Sequence, residues 1–328
     1  MPAKECLFYK QFKGDAVKCI ACQHYCIIKP GNFGICGVRK NIKGKLFLTV
    51  YNKVAAQNVD PIEKKPLYHF LPGSKAYSVG TIGCNFKCSF CQNYGISQEN
   101  NAEMGITMSP EKIVKEALKN GCESIAYTYT EPAIAIEYWM EAMKIAKNKG
   151  LKNVLVTNGY ISKEVLKKIH SLIDAMNIDL KAFNERFYQE ICRAKLGPVL
   201  ETIKLSKKSG IWIEITMLII PGLNDSIKEI EKSAEFIKSV DENIPLHLSR
   251  YFPSYEMSNP MTSESFLRQA LKVCKKHLKH VYLGNLECDS STYCSNCREL
   301  LIKRNYEIIN YLKKNECKKC KEKLKGVF

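Results

Sequence analysis

From residue 76 to residue 285 the chain alternates apolar runs rich in β-branched and aromatic residues with longer amphipathic stretches, and this rhythm restricts the fold more than anything else in the sequence. Strands are expected in Ala76–Ile82, SIAYTYTEP, NVLVTNG, AMNIDLKAF, IWIEITMLII, PLHLSRY and HVYLGN. Helices are expected from the Ser109-Pro110 cap signal through PEKIVKEALKNG, over Ala133 to Lys149, Ser162 to Ser171 and Val199 to Lys208, and after Asn224-Asp225. Strands alternating with helical stretches of about ten to fifteen residues argue for βαβ units and a parallel sheet, closed or partly closed as a barrel of about six units. Upstream, KLFLTVY (residues 45–51) reads as a strand. DPIEKKPLYHFLPGS, Asp60 to Ser74, reads as an extended connection, because a residue before proline is pushed out of the helical region.

The first strand of the series runs into GCNFKCSFCQN, Gly83 to Asn93, where Cys84, Cys88 and Cys91 are separated by three and then two residues. Three thiolates this close can wrap one iron–sulfur cube. A [4Fe–4S] cluster ordinarily takes four cysteines, so a three-cysteine loop leaves one iron open to an exogenous ligand. The order of elements puts this loop at the carboxyl end of a strand, where parallel α/β folds build their sites. Other polar residues end the following strands: Glu131, then Asn158, then Asp179 with Lys181. Alternation sets Asp179 and Lys181 on one face. His247 has apolar neighbours and is expected to point inward.

Two further cysteine groups flank the series. Cys19, Cys22, Cys26 and Cys36 form C-x2-C-x3-C-x9-C through Gly- and Pro-containing turns, as a small metal knuckle requires. Zinc is the first expectation and an auxiliary iron–sulfur cluster the second; the spacing does not choose. His24, between Cys22 and Cys26, is expected to face solvent. Cys294, Cys297, Cys317 and Cys320 form C-x2-C-x19-C-x2-C, within the zinc-ribbon range, and a structural zinc is expected there, with rubredoxin-like iron as the alternative. The divisions that follow are a Cys-rich module at 1–60, a core at 61–285 and a zinc-ribbon-like module at 286–328. Of the remaining Cys6, Cys122, Cys192, Cys274 and Cys288, Cys192 is the one placed to reach the mouth of a barrel.

With 16 cysteines clustered in this way, no apolar run of membrane-spanning length and a start lacking the apolar core of a signal peptide, the chain reads as cytoplasmic, with no membrane partner. Fifty Lys and Arg against 33 acidic residues give a formal charge of +17, which suits an anionic partner such as RNA or an acidic protein. Arg298 to Phe328, with ten basic residues against four Glu, is the densest basic segment.

GCNFKCSFCQN resembles the signature of radical S-adenosylmethionine (SAM) enzymes. With DPIEKKPLYHF, YTYTEPAIAIEYW, VTNGY, NIDLKAF, IPGLND, HLSRYFP and VYLGN, the chain resembles the group related to pyruvate formate-lyase activating enzyme. With both flanking cysteine modules it resembles the radical SAM enzyme of the AmmeMemoRadiSam system. The resemblance implies a partial (β/α)6 TIM-type barrel and a [4Fe–4S] cluster on Cys84, Cys88 and Cys91. It also implies SAM on the open iron and reductive cleavage to a 5′-deoxyadenosyl radical that abstracts hydrogen from a substrate. It implies Phe90 beside the adenine, Glu131 near the SAM amino group, Lys181 near its carboxylate and His247 near the ribose, with Asn158 and Asp179 among the cofactor-binding residues. Where the family places glycines before the glutamate, this chain has Tyr129 and Thr130. Expected partners are a protein or RNA substrate, an external electron donor, and AMMECR1-like and Memo-like proteins. A non-catalytic iron–sulfur scaffold is the remaining alternative.

Overall fold

A computed structural model describes residues 3–305 and 307–328. Its centre is an eight-stranded sheet in which seven strands run parallel in sequence order: Lys75–Gly80, Ser124–Tyr127, Lys152–Thr157, Ala175–Asp179, Trp212–Ile219, Leu246–Arg250 and Val281–Gly284. Six helical crossovers join them, so the (β/α)6 expectation holds, with a seventh strand completing the series. The sheet has two free ends and is therefore an open barrel. Two elements lie beyond those the sequence pattern predicts. Ala56–Pro61, read partly as connection, pairs antiparallel with Lys75–Gly80 and covers that edge. Glu264–Cys274 is a helix between the last two strands, capped by Ser263, whose hydroxyl accepts from the Phe266 amide.

The two faces of the strands have different partners. Tyr77, Val79, Ile125, Tyr127, Met176, Ile178, Ile213 and Ile215 pack outward in the main core. Ala76, Ala126, Val154, Ala175 and Trp212 pack on the opposite face against Ile62, Leu67 and Phe70 from the proline-punctuated connection. Because Ala76, Ala175 and Trp212 begin their strands, this connection plugs the amino-terminal end of the barrel. Small residues there leave room for the plug.

The C-terminal module docks on the same closed end. Leu71 N–H donates to Val327 O at 2.7 Å, and Arg304 donates to Tyr68 O and lies over the Tyr68 ring. This module has its own small core of Leu301, Ile302 and Leu324 beside its cysteines. The N-terminal residues, by contrast, form three-stranded sheets whose apolar side chains merge with the barrel core. The 1–60 boundary therefore cuts through the Ala56–Pro61 strand, which belongs to the large sheet.

One buried ion pair fastens the N-terminal residues in place. Arg39 and Glu137, with side chains 2% and 1% exposed, are bridged through the two terminal guanidinium nitrogens. Glu137 also accepts from the Leu7 and Phe8 amides, and Arg39 Nε donates to Ile134 O at 2.8 Å. Removing one partner of such a pair leaves an uncompensated charge in a low-dielectric interior. Glu137→Ala is therefore expected to cost roughly 3–5 kcal/mol of folding stability. Urea unfolding at fixed pH measures this, and a loss below about 1 kcal/mol would show that the pair is not what holds the module.

Candidate active site

The loop Gly83–Asn93 leaves the carboxyl end of strand Lys75–Gly80 and is held from several sides. Gly83, at φ +82°, lies so close to the N-terminal residues that a Cβ there would sit 2.6 Å from Cys36 O. Only glycine fits. Gly83 N–H donates to Ile96 O, and Lys87 and Ser89 donate their amides to Cys192 O and Ile191 O. Ser254 Oγ donates to Cys91 O at 3.3 Å, bringing the segment after strand Leu246–Arg250 across the loop. Cys88 is buried, while Cys84 and Cys91 are half-buried. Burial pushes the Cys84 thiol well above its ordinary range, so a positive partner is needed to hold it as thiolate.

Two groups of side chains meet this loop. On one side Asn158 Nδ2 donates to Asn85 Oδ1 at 2.8 Å, and Asn158 N–H donates to Glu131 Oε2 at 2.8 Å. Glu131 also accepts from Ala133 N–H and the Thr157 hydroxyl. Its carboxyl, 3% exposed, is pushed up to about 7, chiefly because burial removes it from water. Tyr129 occupies the left-handed region at φ +67°, the conformation that a glycine at this point would supply. Its hydroxyl reaches Asp60, Lys65 lies over its ring, and Asn93 donates to its carbonyl. The turn keeps its shape because these contacts over-determine it.

On the other side Lys181 Nζ bonds Asp179 at 2.9 Å and lies 5.5 Å from the centre of the Phe90 ring. Lys181 N–H donates to Tyr188 Oη, and Asn224 donates to Lys181 O. Cys192, fully buried in a π-helical turn, meets the loop through its carbonyl, which accepts from Lys87 N–H at 3.1 Å. The structure thus brings together Cys84, Cys88, Phe90, Cys91, Glu131, Asn158, Asp179 and Lys181, and it adds Cys192.

His247 is placed elsewhere. Strand register sets it beside Thr216 and Asp179 on the barrel's inner face, so it does point inward. Its Nε2, however, is bonded to Glu214 at 2.7 Å, and its ring packs on Tyr68 and Tyr282 of the closed end. His24 also departs from expectation: it is not turned to solvent but bonds Asn85 O through Nε2 at 2.8 Å. Asn85 and Tyr188 went unrecognised as site residues. Asn85 stands inside the quoted cysteine motif, and that position was the available signal.

At the opposite end, the sulfurs of Cys294, Cys297, Cys317 and Cys320 all lie within 4.8 Å of one another, with Cys294–Cys320 at 3.5 Å and Cys297–Cys317 at 3.6 Å. Four sulfurs at this separation form a ready metal-binding set. Among the described residues no helix is long and apolar enough to cross a membrane.

Comparison with known proteins agrees with this arrangement. Residues 78–237 match the Radical SAM superfamily. The chain is 43% identical over 331 residues to Uncharacterized protein MJ0808 of Methanocaldococcus jannaschii, covering 98% of each. It is 28% identical over 213 residues to the same organism's Putative glycyl-radical enzyme activating enzyme MJ1632, covering 63% of this chain and 78% of that one. In fold it is similar to a radical SAM methyltransferase from Sphaerobacter thermophilus, with a TM-score of 0.51 at 17% identity, covering 65% of this chain and 67% of that one. With a three-cysteine loop at the carboxyl end of the first parallel strand and the matching superfamily pattern spanning that loop, residues 78–237 form a radical SAM domain.

Proposed function

We propose that the open end of the barrel is the site of a radical SAM reaction on a protein substrate, in the manner of activating enzymes. One observation supports it above the others: the polar ends of three successive parallel strands, carrying Glu131, Asn158 and Asp179 with Lys181, converge on the Cys84–Cys91 loop. The donor set suits the cofactor that the family implies. Cys84, Cys88 and Cys91 would hold a [4Fe–4S] cluster and leave one position for the amino and carboxylate groups of SAM. When bound, that cluster supplies the electron for reductive cleavage of SAM.

The protein's own residues bind and orient. Lys181 offers a cation to a carboxylate, and Asp179 and the Phe90 ring fix its position. Glu131 offers a carboxylate to an ammonium, with its rotamer set by the Asn158 and Ala133 amides. The exposed, stacked pair Tyr94 and Tyr255, with centroids 4.9 Å apart, stands at the rim beside Cys91 and gives a polypeptide an aromatic surface to dock on. An RNA substrate is less well served, because the densest basic segment, 298–328, belongs to the module at the closed end. The likeness to a putative activating enzyme supports the protein reading, and the AMMECR1-like and Memo-like proteins of the AmmeMemoRadiSam system are the partners to test first. The C-terminal tetrathiol set is proposed as a structural zinc site, since a zinc–sulfur bond of about 2.3 Å sets tetrahedral sulfurs about 3.8 Å apart.

Two outcomes are expected. Anaerobically reconstituted protein should release 5′-deoxyadenosine from SAM on reduction, and protein rather than RNA fractions of a cell extract should stimulate the release. Cys88→Ala should reduce it to background while the C-terminal site keeps its metal; undiminished cleavage in that variant would refute the site.

The second outcome concerns pH. Below about 7 Glu131 takes up a proton and no longer attracts an ammonium, so SAM affinity should weaken as pH falls from 8 to 6, and Glu131→Gln should flatten the curve. The same raised value favours the folded state at low pH. Its contribution is fully present below the ordinary carboxyl value of 4.5, is lost as pH rises through about 7, and amounts to roughly 3 kcal/mol. Equal SAM affinities at pH 6 and 8 in the unsubstituted protein would remove Glu131 from this role.

A further inference from the structure

Cys19, Cys22, Cys26 and Cys36 line a single cavity together with Arg39 and Asn85, yet they are not arranged like the C-terminal four. Tetrahedral zinc draws its sulfurs to about 3.8 Å from one another. The C-terminal set meets that requirement and, among the described residues, the N-terminal set does not: no three of its sulfurs lie mutually within 4.8 Å. The cavity they line with eight other residues admits a water-sized sphere. Four sulfurs drawn around a zinc ion would leave no such room. Sulfurs capping the corners of an iron–sulfur cube stand about 6 Å apart, and they enclose the cube itself.

A second observation comes from the wall of the cavity. Asn85 is 1% exposed, and its Oδ1 is taken by Asn158. Its Nδ2 is buried without any partner. An unpaired buried amide costs about 1–3 kcal/mol, and a cube's sulfurs are acceptors for such a donor. The shell is otherwise closed: Cys19, Cys22 and Cys36 are buried and Cys26 is half-buried.

We propose that Cys19, Cys22, Cys26 and Cys36 hold a [4Fe–4S] cluster of their own, separate from any held by Cys84, Cys88 and Cys91. Each iron is capped by a protein thiolate, so this cluster has no position for SAM. Its chemistry is the exchange of one electron with an external one-electron donor, with no bond made or broken. Asn85 forms part of its wall and is the next residue to Cys84, so it adjoins the candidate active site.

The test uses the full chain, reconstituted anaerobically with ferrous iron and sulfide, with iron and zinc counted by mass spectrometry and the reduced clusters followed by electron paramagnetic resonance with and without SAM. A triple variant, Cys84→Ala, Cys88→Ala and Cys91→Ala, should keep about four irons per chain and a signal indifferent to SAM, against about eight irons in the unsubstituted protein. The double variant Cys22→Ala and Cys26→Ala should lose about four irons while retaining the signal that SAM perturbs. Retained C-terminal metal and an unchanged circular dichroism spectrum show that each variant is folded. A folded triple variant with no iron, whether its N-terminal site holds zinc or nothing, overturns the proposal and leaves the Cys84 loop reading standing. Four irons indifferent to SAM in both the triple variant and the unsubstituted protein would uphold the N-terminal cluster and defeat that loop reading instead.

Discussion

The buried pair of Arg39 and Glu137 is the interaction on which the architecture around the site depends. Charges in a low-dielectric interior are tolerated only when paired and hydrogen-bonded, and here every strong donor or acceptor of the pair has a protein partner. The geometry that satisfies them brings the N-terminal sheets onto helix Ile136–Asn148. That contact in turn sets Cys36 against Gly83 and His24 against Asn85. The cysteine loop is thus shaped partly by residues some fifty positions upstream, and the N-terminal residues are better described as a wall of the site than as an appendage.

The barrel itself is asymmetric along its axis. At the amino-terminal ends of the strands, small side chains admit the Ile62–Phe70 plug, and Glu214 binds both the plug's backbone and His247. At the carboxyl ends the strands finish in polar residues that meet the cysteine loop. Sealing one end leaves chemistry to the other. The same division accounts for the place of the basic C-terminal module, whose Arg304 packs on Tyr68 of the plug.

Much of this was legible in the sequence. The seven parallel strands announced themselves as apolar runs, and the Cys84–Cys91 spacing marked the loop with no need of neighbours. Glu131, Asn158, Asp179 and Lys181 stood out as candidates because strand ends are where parallel folds collect function. The helix Glu264–Cys274 was missed although ESFLRQALKVC is amphipathic and follows a capping serine. His247 was read correctly as facing inward, but a one-dimensional pattern does not say at what height in a barrel a residue lies, and its partner Glu214 is 33 positions away. His24 and Asn85 escaped for a related reason: their contact crosses 61 residues. The positive φ at Tyr129 was also hidden, since a tyrosine argues against a left-handed backbone and only the surrounding contacts override that preference.

The docking of residues 325–327 on the plug bears on how the chain reaches its folded state. His69 Nδ1 meets Lys325 O at 3.0 Å across 256 residues, and Val327 N–H donates to His69 O at 2.8 Å. Contacts so distant along the chain come late, because the entropy of closing the loop is lost before the contact returns anything. During synthesis the strands and the cysteine loop emerge well before the residues that complete the floor of the barrel. The open end is therefore expected to mature first, and the floor to close only once residues 325–327 have left the ribosome.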